Sequence, residues 1–135
     1  MEMERPASNE RMSSRPRSLV VVAAALLLGV SVVAIPRVAL ASTIVVKAAT
    51  GDKWNPTHAY IGKGDYIQWK NPTSKKHNVT AYGAGWTYSK ILVPGATVKR
   101  QFNNTGTFRY RCTYHSAIVD GKCQGQCGFV HVFSG

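Results

Sequence analysis

Residues 106–115 have the sequence GTFRYRCTYH, in which apolar and charged side chains alternate. Phe108, Tyr110 and Cys112 fall on one face of an extended chain, and two arginines fall on the other. Because successive side chains of a strand point to opposite sides of a sheet, this period of two predicts a half-buried antiparallel β-strand. Cys112 lies near the end of that strand on its buried face, and His115 follows in an expected loop.

The same alternation recurs in other parts of the chain. It occurs in residues 66–70 (YIQWK) and 129–133 (FVHVF), and no long window has the spacing of an amphipathic helix. Arg100 has the same parity as Val98 and Phe102, which predicts an edge strand or a twist. Turn-forming residues separate these segments, at positions 62–65 (GKGD), 71–72 (NP), 94–95 (PG) and 103–106 (NNTG). Short strands with regular turns predict an all-β sandwich or barrel.

The first 41 residues are predicted to be separate from this fold. Arginines within residues 5–17 precede an apolar run at residues 19–35, and the small-residue sequence ALA follows at 39–41. This order is typical of a secretory signal peptide that is cleaved after residue 41. The alternative is a retained N-terminal membrane anchor, because the run approaches the roughly 20 residues of a spanning helix. Both interpretations predict an extracytoplasmic domain at residues 42–135, which is secreted, periplasmic or held at the cell surface.

The net charge is strongly positive. The 135 residues include 17 Lys and Arg against 6 Asp and Glu, for a formal charge of +11. Residues 42–135 alone have 12 basic and 3 acidic side chains, which leaves +9. A charge of this sign favours acidic partners. Nucleic acid is not expected as a partner, because the basic residues are scattered along strands and the domain is predicted to be exported.

Three residues have the side chains of a metal site. Cys112 and His115 are three positions apart, and His77 begins another strand-like stretch, HNVTA, at residues 77–81. A thiolate with two imidazoles suits copper. Zinc is the competing ion for the same residue types.

The residues around these ligands resemble those of the small blue copper proteins, or cupredoxins, especially the plastocyanin-like and pseudoazurin-like members. The resemblance covers nearly all of residues 42–135. It is carried, in order, by residues 54–56 (WNP), 64–71 (GDYIQWKN), 77–79 (HNV), 106–115 (GTFRYRCTYH) and 128–132 (GFVHV). It implies a Greek-key β-sandwich that holds one copper ion through His77, Cys112 and His115. It also implies that Asn78 hydrogen-bonds the two ligand-bearing segments to each other.

The fourth ligand departs from the family pattern. The family normally places an axial Met two residues before the Gly that opens the last strand, and that position is Gln126 before Gly128 here. No Met follows Met12. A Gln oxygen is a recognised weak axial ligand, so the resemblance implies that Gln126 is axial and that the reduction potential is lower than with Met. The alternative is a three-ligand copper with Gln126 solvated in a long loop that begins at His115.

Two further cysteines, Cys123 and Cys127, lie in the expected loop. With Cys112 assigned to copper by the resemblance, they are expected to form a disulfide, which an extracytoplasmic location permits. The alternative is a binuclear site like the copper-A centre of terminal oxidases, because the spacing of Cys123, Cys127 and His131 resembles that ligand pattern. Such a site would leave Cys112 and His115 unused, and His131 alternates with two valines onto the predicted outer face.

The resemblance implies an electron carrier rather than an enzyme. The expected protein is a monomer that passes single electrons between acidic redox proteins through the exposed edge of His115. Ala117, Ile118 and Val119 are expected to form the docking and electron-exit patch. Two other functions would use the same ligands: a copper carrier or storage module without electron transfer, and a structural zinc site. His58 is expected to be a surface imidazole without a partner.

Overall fold

Nine β-strands make up the part of the chain that the structure, a computed structural model, describes: residues 39–83 and 85–135. The strands are β1 (Thr43–Ala49), β2 (Lys53–Asn55), β3 (His58–Gly62), β4 (Tyr66–Lys70), β5 (His77–Ala81), β6 (Ser89–Leu92), β7 (Thr97–Gln101), β8 (Gly106–Val119) and β9 (Lys122–Phe133). In these residues no helix is long and apolar enough to cross a bilayer. The predicted signal or anchor at residues 1–41, with its apolar run at 19–35, lies almost wholly outside the described residues and stays a prediction.

The strands form two sheets, which confirms the predicted all-β sandwich. One sheet has the order β2-β1-β4-β7 and the other has the order β3-β9-β8-β5-β6. The expectation of antiparallel pairing throughout is wrong at two places, because β1 runs parallel to β4 and β3 runs parallel to β9. Parallel neighbours need a crossover connection. Here the strands between them in the chain include members of the opposite sheet, so the sandwich itself supplies the crossover.

Large aromatic side chains fill the space between the sheets. Trp69 of β4 meets Tyr110 of β8 edge-on, with ring centroids 5.2 Å apart, and Trp54 of β2 lies 5.7 Å from the same tyrosine ring. These three side chains are at most 2% exposed. Edge-to-face pairs of this kind stabilise a core beyond the area they bury. The alternation of buried positions on β4 and β8 therefore agrees with the pattern of the sequence.

Strand β7 is an edge strand, which is one of the two alternatives that the parity of Arg100 predicts. The Arg100 guanidinium lies over the ring of Tyr88 at 4.9 Å and over the ring of Trp86 at 5.3 Å. Arg100 points to the same side of the strand as Val98. Stacking on aromatic faces stabilises its charge there while the side chain keeps access to water. The sheet can accept this arginine because β7 has a neighbour on one side only.

The segment that follows His115 differs most from expectation. In place of a loop, β8 and β9 continue as a two-stranded hairpin, paired from Ser116 with Gly125 to Val119 with Lys122. The turn residues Asp120 and Gly121 have φ of 48° and 72°. A two-residue turn with positive φ at both positions matches the right-handed twist of the strands, and Asp-Gly is its strong sequence signal. This turn was therefore predictable from local sequence.

Candidate metal centre

The three predicted equatorial ligands lie together in the structure. The ligand atoms of His77, Cys112 and His115 are all within 4.8 Å of one another. His77 and Cys112 are fully buried, whereas the side chain of His115 is 20% exposed. Nδ1 of His115 faces Sγ of Cys112 at 3.4 Å. One histidine is thus enclosed by protein and the other has an edge at the surface.

A bulge between β8 and β9 brings Gln126 to the same place. The two strands pair at Arg111 with Cys127 and again at Ser116 with Gly125. Four residues of β8, 112–115, therefore stand opposite the single residue Gln126 of β9. A bulge bends its strand and re-aims side chains, which explains why residues three positions apart, on a strand whose period is two, can share one site.

Gly125 allows the two strands to approach closely at this bulge. Its φ is +95°, and a Cβ there would collide with the carbonyl oxygen of His115 and lie 3.1 Å from Cα of Ser116. Only glycine adopts such a conformation routinely and has no Cβ to collide. The backbone of His115 is therefore in direct contact with Gly125.

Asn78 hydrogen-bonds the strand of His77 to the strand of Cys112. Its Nδ2 donates to Oγ1 of Thr113 at 2.5 Å, and its Oδ1 accepts from the Thr113 backbone N–H at 2.8 Å. The backbone N–H of Asn78 points at Sγ of Cys112 at 3.4 Å. Asn78 therefore has the geometry that the resemblance implies for it.

Each ring nitrogen of His77 has a neighbour within hydrogen-bond distance, Thr73 at Nε2 and Gln126 at Nδ1. The hydroxyl of Thr73 has one hydrogen, and its best acceptor is Oδ1 of Asn71 at 2.7 Å. The Thr73 oxygen, 3.0 Å from Nε2 of His77, can then accept a proton held on that nitrogen. Because a neutral imidazole has one N–H, a proton on Nε2 frees the lone pair of Nδ1 for a metal ion.

Gln126 is fully buried, and it presents its oxygen to the same point. Its Nε2 donates to the carbonyl of Lys53 at 3.3 Å, which orients Oε1 toward Nδ1 of His77 at 2.8 Å. In the tautomer with the ring proton on Nε2, the lone pairs of Nδ1 and Oε1 face each other, and a bound cation stabilises that arrangement.

A proton is a poor candidate for that cation. Burial, partly opposed by the contact with Gln126, lowers the pKa of His77 below its ordinary value of 6.5. The donors that converge are a thiolate sulfur, two imidazole nitrogens and an amide oxygen. A trigonal His₂Cys set with a weak axial Gln oxygen is a donor set of blue copper sites. The residues present therefore fit one copper ion.

Asp52 and Lys75 border the centre, and the sequence pattern did not indicate them. Oδ1 of Asp52 lies 4.0 Å from Nε2 of His115 and 3.0 Å from Nζ of Lys75. The hydrogen bond from Lys75 lowers the pKa of Asp52. Both residues line a cleft of about 190 Å³ beside His77. Asp52 follows Gly51 in a turn signal, but nothing local places that turn next to residue 115.

Cys123 and Cys127 form a disulfide, with Cα atoms 6.0 Å apart. The binuclear alternative is therefore wrong, because both sulfurs are bonded to each other. His131 is also not at the centre: it lies on the outer side of β9, where its Nε2 is 3.0 Å from Nδ1 of His58. His58 is exposed, as expected of a surface imidazole, but it has a partner in His131 that the sequence pattern did not indicate.

The proposed exit patch lies on the hairpin. Ala117, Ile118 and Val119 are exposed, the last two to 41% and 42%. Tyr114 is 50% exposed and its ring centroid is 6.4 Å from that of His115. Nζ of Lys76 lies 5.3 Å from the Tyr114 ring. The surface next to His115 is thus aromatic as well as aliphatic.

Solved structures with the same fold are cupredoxins. A reduced amicyanin variant is 25% identical with a TM-score of 0.54, and the match covers 67% of this chain and 82% of that one. A purple cupredoxin from Nitrosopumilus maritimus is 17% identical with a TM-score of 0.55, covering 66% of this chain and 98% of that one. No protein-family model matches the chain.

A larger copper protein shares the fold over part of its length. A Cu-containing nitrite reductase from Thermus scotoductus is 15% identical with a TM-score of 0.56, and the match covers 69% of this chain but 23% of that one. At this identity the likeness concerns the fold alone. The described domain thus has a cupredoxin fold with a candidate site for one copper ion.

Proposed function

We propose that this chain is a mononuclear blue copper protein that carries single electrons between extracytoplasmic redox partners. One observation carries the proposal: Sγ of Cys112, the imidazoles of His77 and His115, and Oε1 of Gln126 converge at a mostly buried point. Copper bound there would supply one-electron chemistry by alternating between Cu(I) and Cu(II).

The protein's own part is to hold the ligands while the charge of the site changes. Thr73 offers an acceptor for a proton on Nε2 of His77, Asn78 joins the two ligand strands, and Gly125 lets the backbone of His115 approach closely. Ligands held by a packed sandwich rearrange little, and small rearrangement favours electron exchange over release of the ion. This rigidity favours a carrier of electrons over a copper storage module.

Other observations support the proposed partners, the proposed location and the role of an electron carrier. The +9 charge of residues 42–135 favours acidic partners. A disulfide is stable mainly in oxidising compartments, which supports an extracytoplasmic location. The partly exposed edge of His115 is the proposed exit for the electron. A carrier is favoured over an enzyme because the matches cover 82% and 98% of two cupredoxin chains but 23% of the reductase.

The test is a Cu(II) titration of the full chain. We expect one copper per chain to give the intense blue absorption of Cu(II) bound to thiolate and a reversible one-electron wave in voltammetry. Cys112→Ala should lose the colour. A variant with both Cys123→Ala and Cys127→Ala should keep a thiolate-to-copper band. Colourless binding of Zn(II) in preference to Cu(II) would point to a structural zinc site, and a blue protein without a reversible wave would point to storage.

The proposed acidic partner requires a separate measurement. Electron-transfer rates with an acidic redox protein should fall as salt rises, because exposed charges are screened beyond about 10 Å at 0.1 M ionic strength. Rates that do not change with salt would contradict electrostatic docking, while leaving the copper assignment to the titration.

A further inference from the structure

Two histidines meet on the outer face of the five-stranded sheet, away from the residues of the metal centre. His58 opens β3 and His131 lies in β9, its parallel neighbour. Nδ1 of His58 is 3.0 Å from Nε2 of His131. His58 is exposed and His131 is partly exposed, so the facing nitrogens can be reached from solvent.

Neighbouring side chains hold both imidazoles in this arrangement. The ring of Phe129 stacks on His58 with centroids 4.6 Å apart, and Tyr60 stacks on His131 at 4.8 Å. Oγ1 of Thr107 lies 3.2 Å from Nδ1 of His131. A hydroxyl there can accept the Nδ1 proton, which leaves the lone pair of His131 on Nε2, facing His58. Metal-bound histidines almost always have such a partner on the other nitrogen.

We propose that His58 and His131 form a second metal-binding site, which takes a divalent transition-metal ion such as Cu(II), Ni(II) or Zn(II). Imidazole nitrogen suits these ions. Two nitrogens that are each about 2.0–2.1 Å from one ion stand about 2.9–3.4 Å apart at a bond angle of about 90–110°. The separation of 3.0 Å lies within that range.

Binding requires little rearrangement. Without metal, the 3.0 Å contact is an N–H···N hydrogen bond between the two rings. Taking up an ion requires the donating ring to hold its proton on the other nitrogen, where Thr107 can accept it from His131 and water can accept it from the exposed His58. The two ring planes are within 12° of parallel, so rocking within those planes directs both nitrogens at one point while the stacking partners stay in place.

The test is calorimetric titration of the full chain with Zn(II), compared with three variants. His58→Phe and His131→Phe remove a ligand but keep a stacking ring, and each should lose one Zn(II) equivalent or bind it roughly 10²-fold more weakly. His77→Ala alters the copper centre and should retain that equivalent. NMR of the full chain should show the ring signals of His58 and His131 shifting together on addition of Zn(II).

Two outcomes would overturn the proposal. One is that His58→Phe binds Zn(II) with the stoichiometry and affinity of the parent. The other is that the ring signals of His58 and His131 do not move with Zn(II) in excess, which would identify the pair as a proton-sharing hydrogen bond only. Neither outcome bears on the copper centre, because that site is judged by the colour that Cys112 gives.

Discussion

Replacing Gly125 with alanine should damage the metal centre through the backbone of His115. Two costs arise. An L-residue at a φ of +95° is strained by about 1–2 kcal/mol. The new Cβ would also approach the His115 carbonyl oxygen within the 3.0 Å that real Cβ atoms essentially never cross. The His115 oxygen belongs to the backbone and has no side-chain rotation that would relieve the overlap. Moving it therefore costs about 1–3 kcal/mol more. The expected loss of unfolding free energy is about 2–5 kcal/mol, from the typical 5–15 kcal/mol of a domain.

Gly121→Ala is the matched control. Gly121 has a φ of +72° and lies in the same hairpin, but a Cβ there would meet no atom within 4 Å. Its replacement should therefore cost only the backbone strain of about 1–2 kcal/mol. The difference between the two variants isolates the close contact with the segment of His115.

Denaturant unfolding of the metal-free variants measures the free energies, and the absorption spectrum with Cu(II) reports on the site. Gly125→Ala should shift or weaken the blue band, whereas Gly121→Ala should keep the spectrum of the parent. The reasoning is refuted if the two variants lose equal stability and have identical spectra, because the contact between Gly125 and His115 would then have no consequence.

Three further predictions concern the ligands and the core. Gln126→Met should raise the reduction potential in voltammetry, by about 59 mV for each tenfold gain in preference for Cu(I). The control Gln124→Met, at an exposed position, should leave the potential unchanged. If Gln126→Met has the potential of the parent, Gln126 is not a ligand. Gly128→Ala should cost about 3 kcal/mol in urea unfolding, because its Cβ would collide with the fully buried ring of Tyr110; a loss below 1 kcal/mol would contradict this packing. Burial lowers the pKa of His77 below 6.5, so the unfolded chain binds more protons than the folded chain as pH falls through that range. The metal-free protein should therefore lose unfolding free energy between pH 7 and pH 5 in urea unfolding. If a His77→Gln variant has the same pH dependence as the parent, His77 is not its cause.

Local sequence was sufficient where the controlling physics is local. The alternation at Phe108, Tyr110 and Cys112 predicted a buried face, because side chains of a strand alternate whatever its neighbours are. The parity of Arg100 likewise predicted an edge strand or a twist, and β7 is an edge strand. The order of the ligand motifs predicted His77, Cys112 and His115 as a set, and the structure brings these three together. Even the hairpin after His115 had a local signal in Asp120 and Gly121, which the loop interpretation passed over.

Tertiary structure alone decided which distant segments meet. The parallel pairing of β1 with β4 follows from a crossover through the other sheet, and no residue of either strand encodes it by itself. Asp52 reaches the metal centre from a turn far from residue 115, and the pairing of His58 with His131 depends on β3 lying beside β9. Periodicity states which side of a strand is buried, but the choice of neighbouring strand depends on packing summed over the whole sandwich. That is why the ligands and Asn78 were predictable from sequence, whereas Asp52 beside His115 and the pair of His58 and His131 became visible only in the fold.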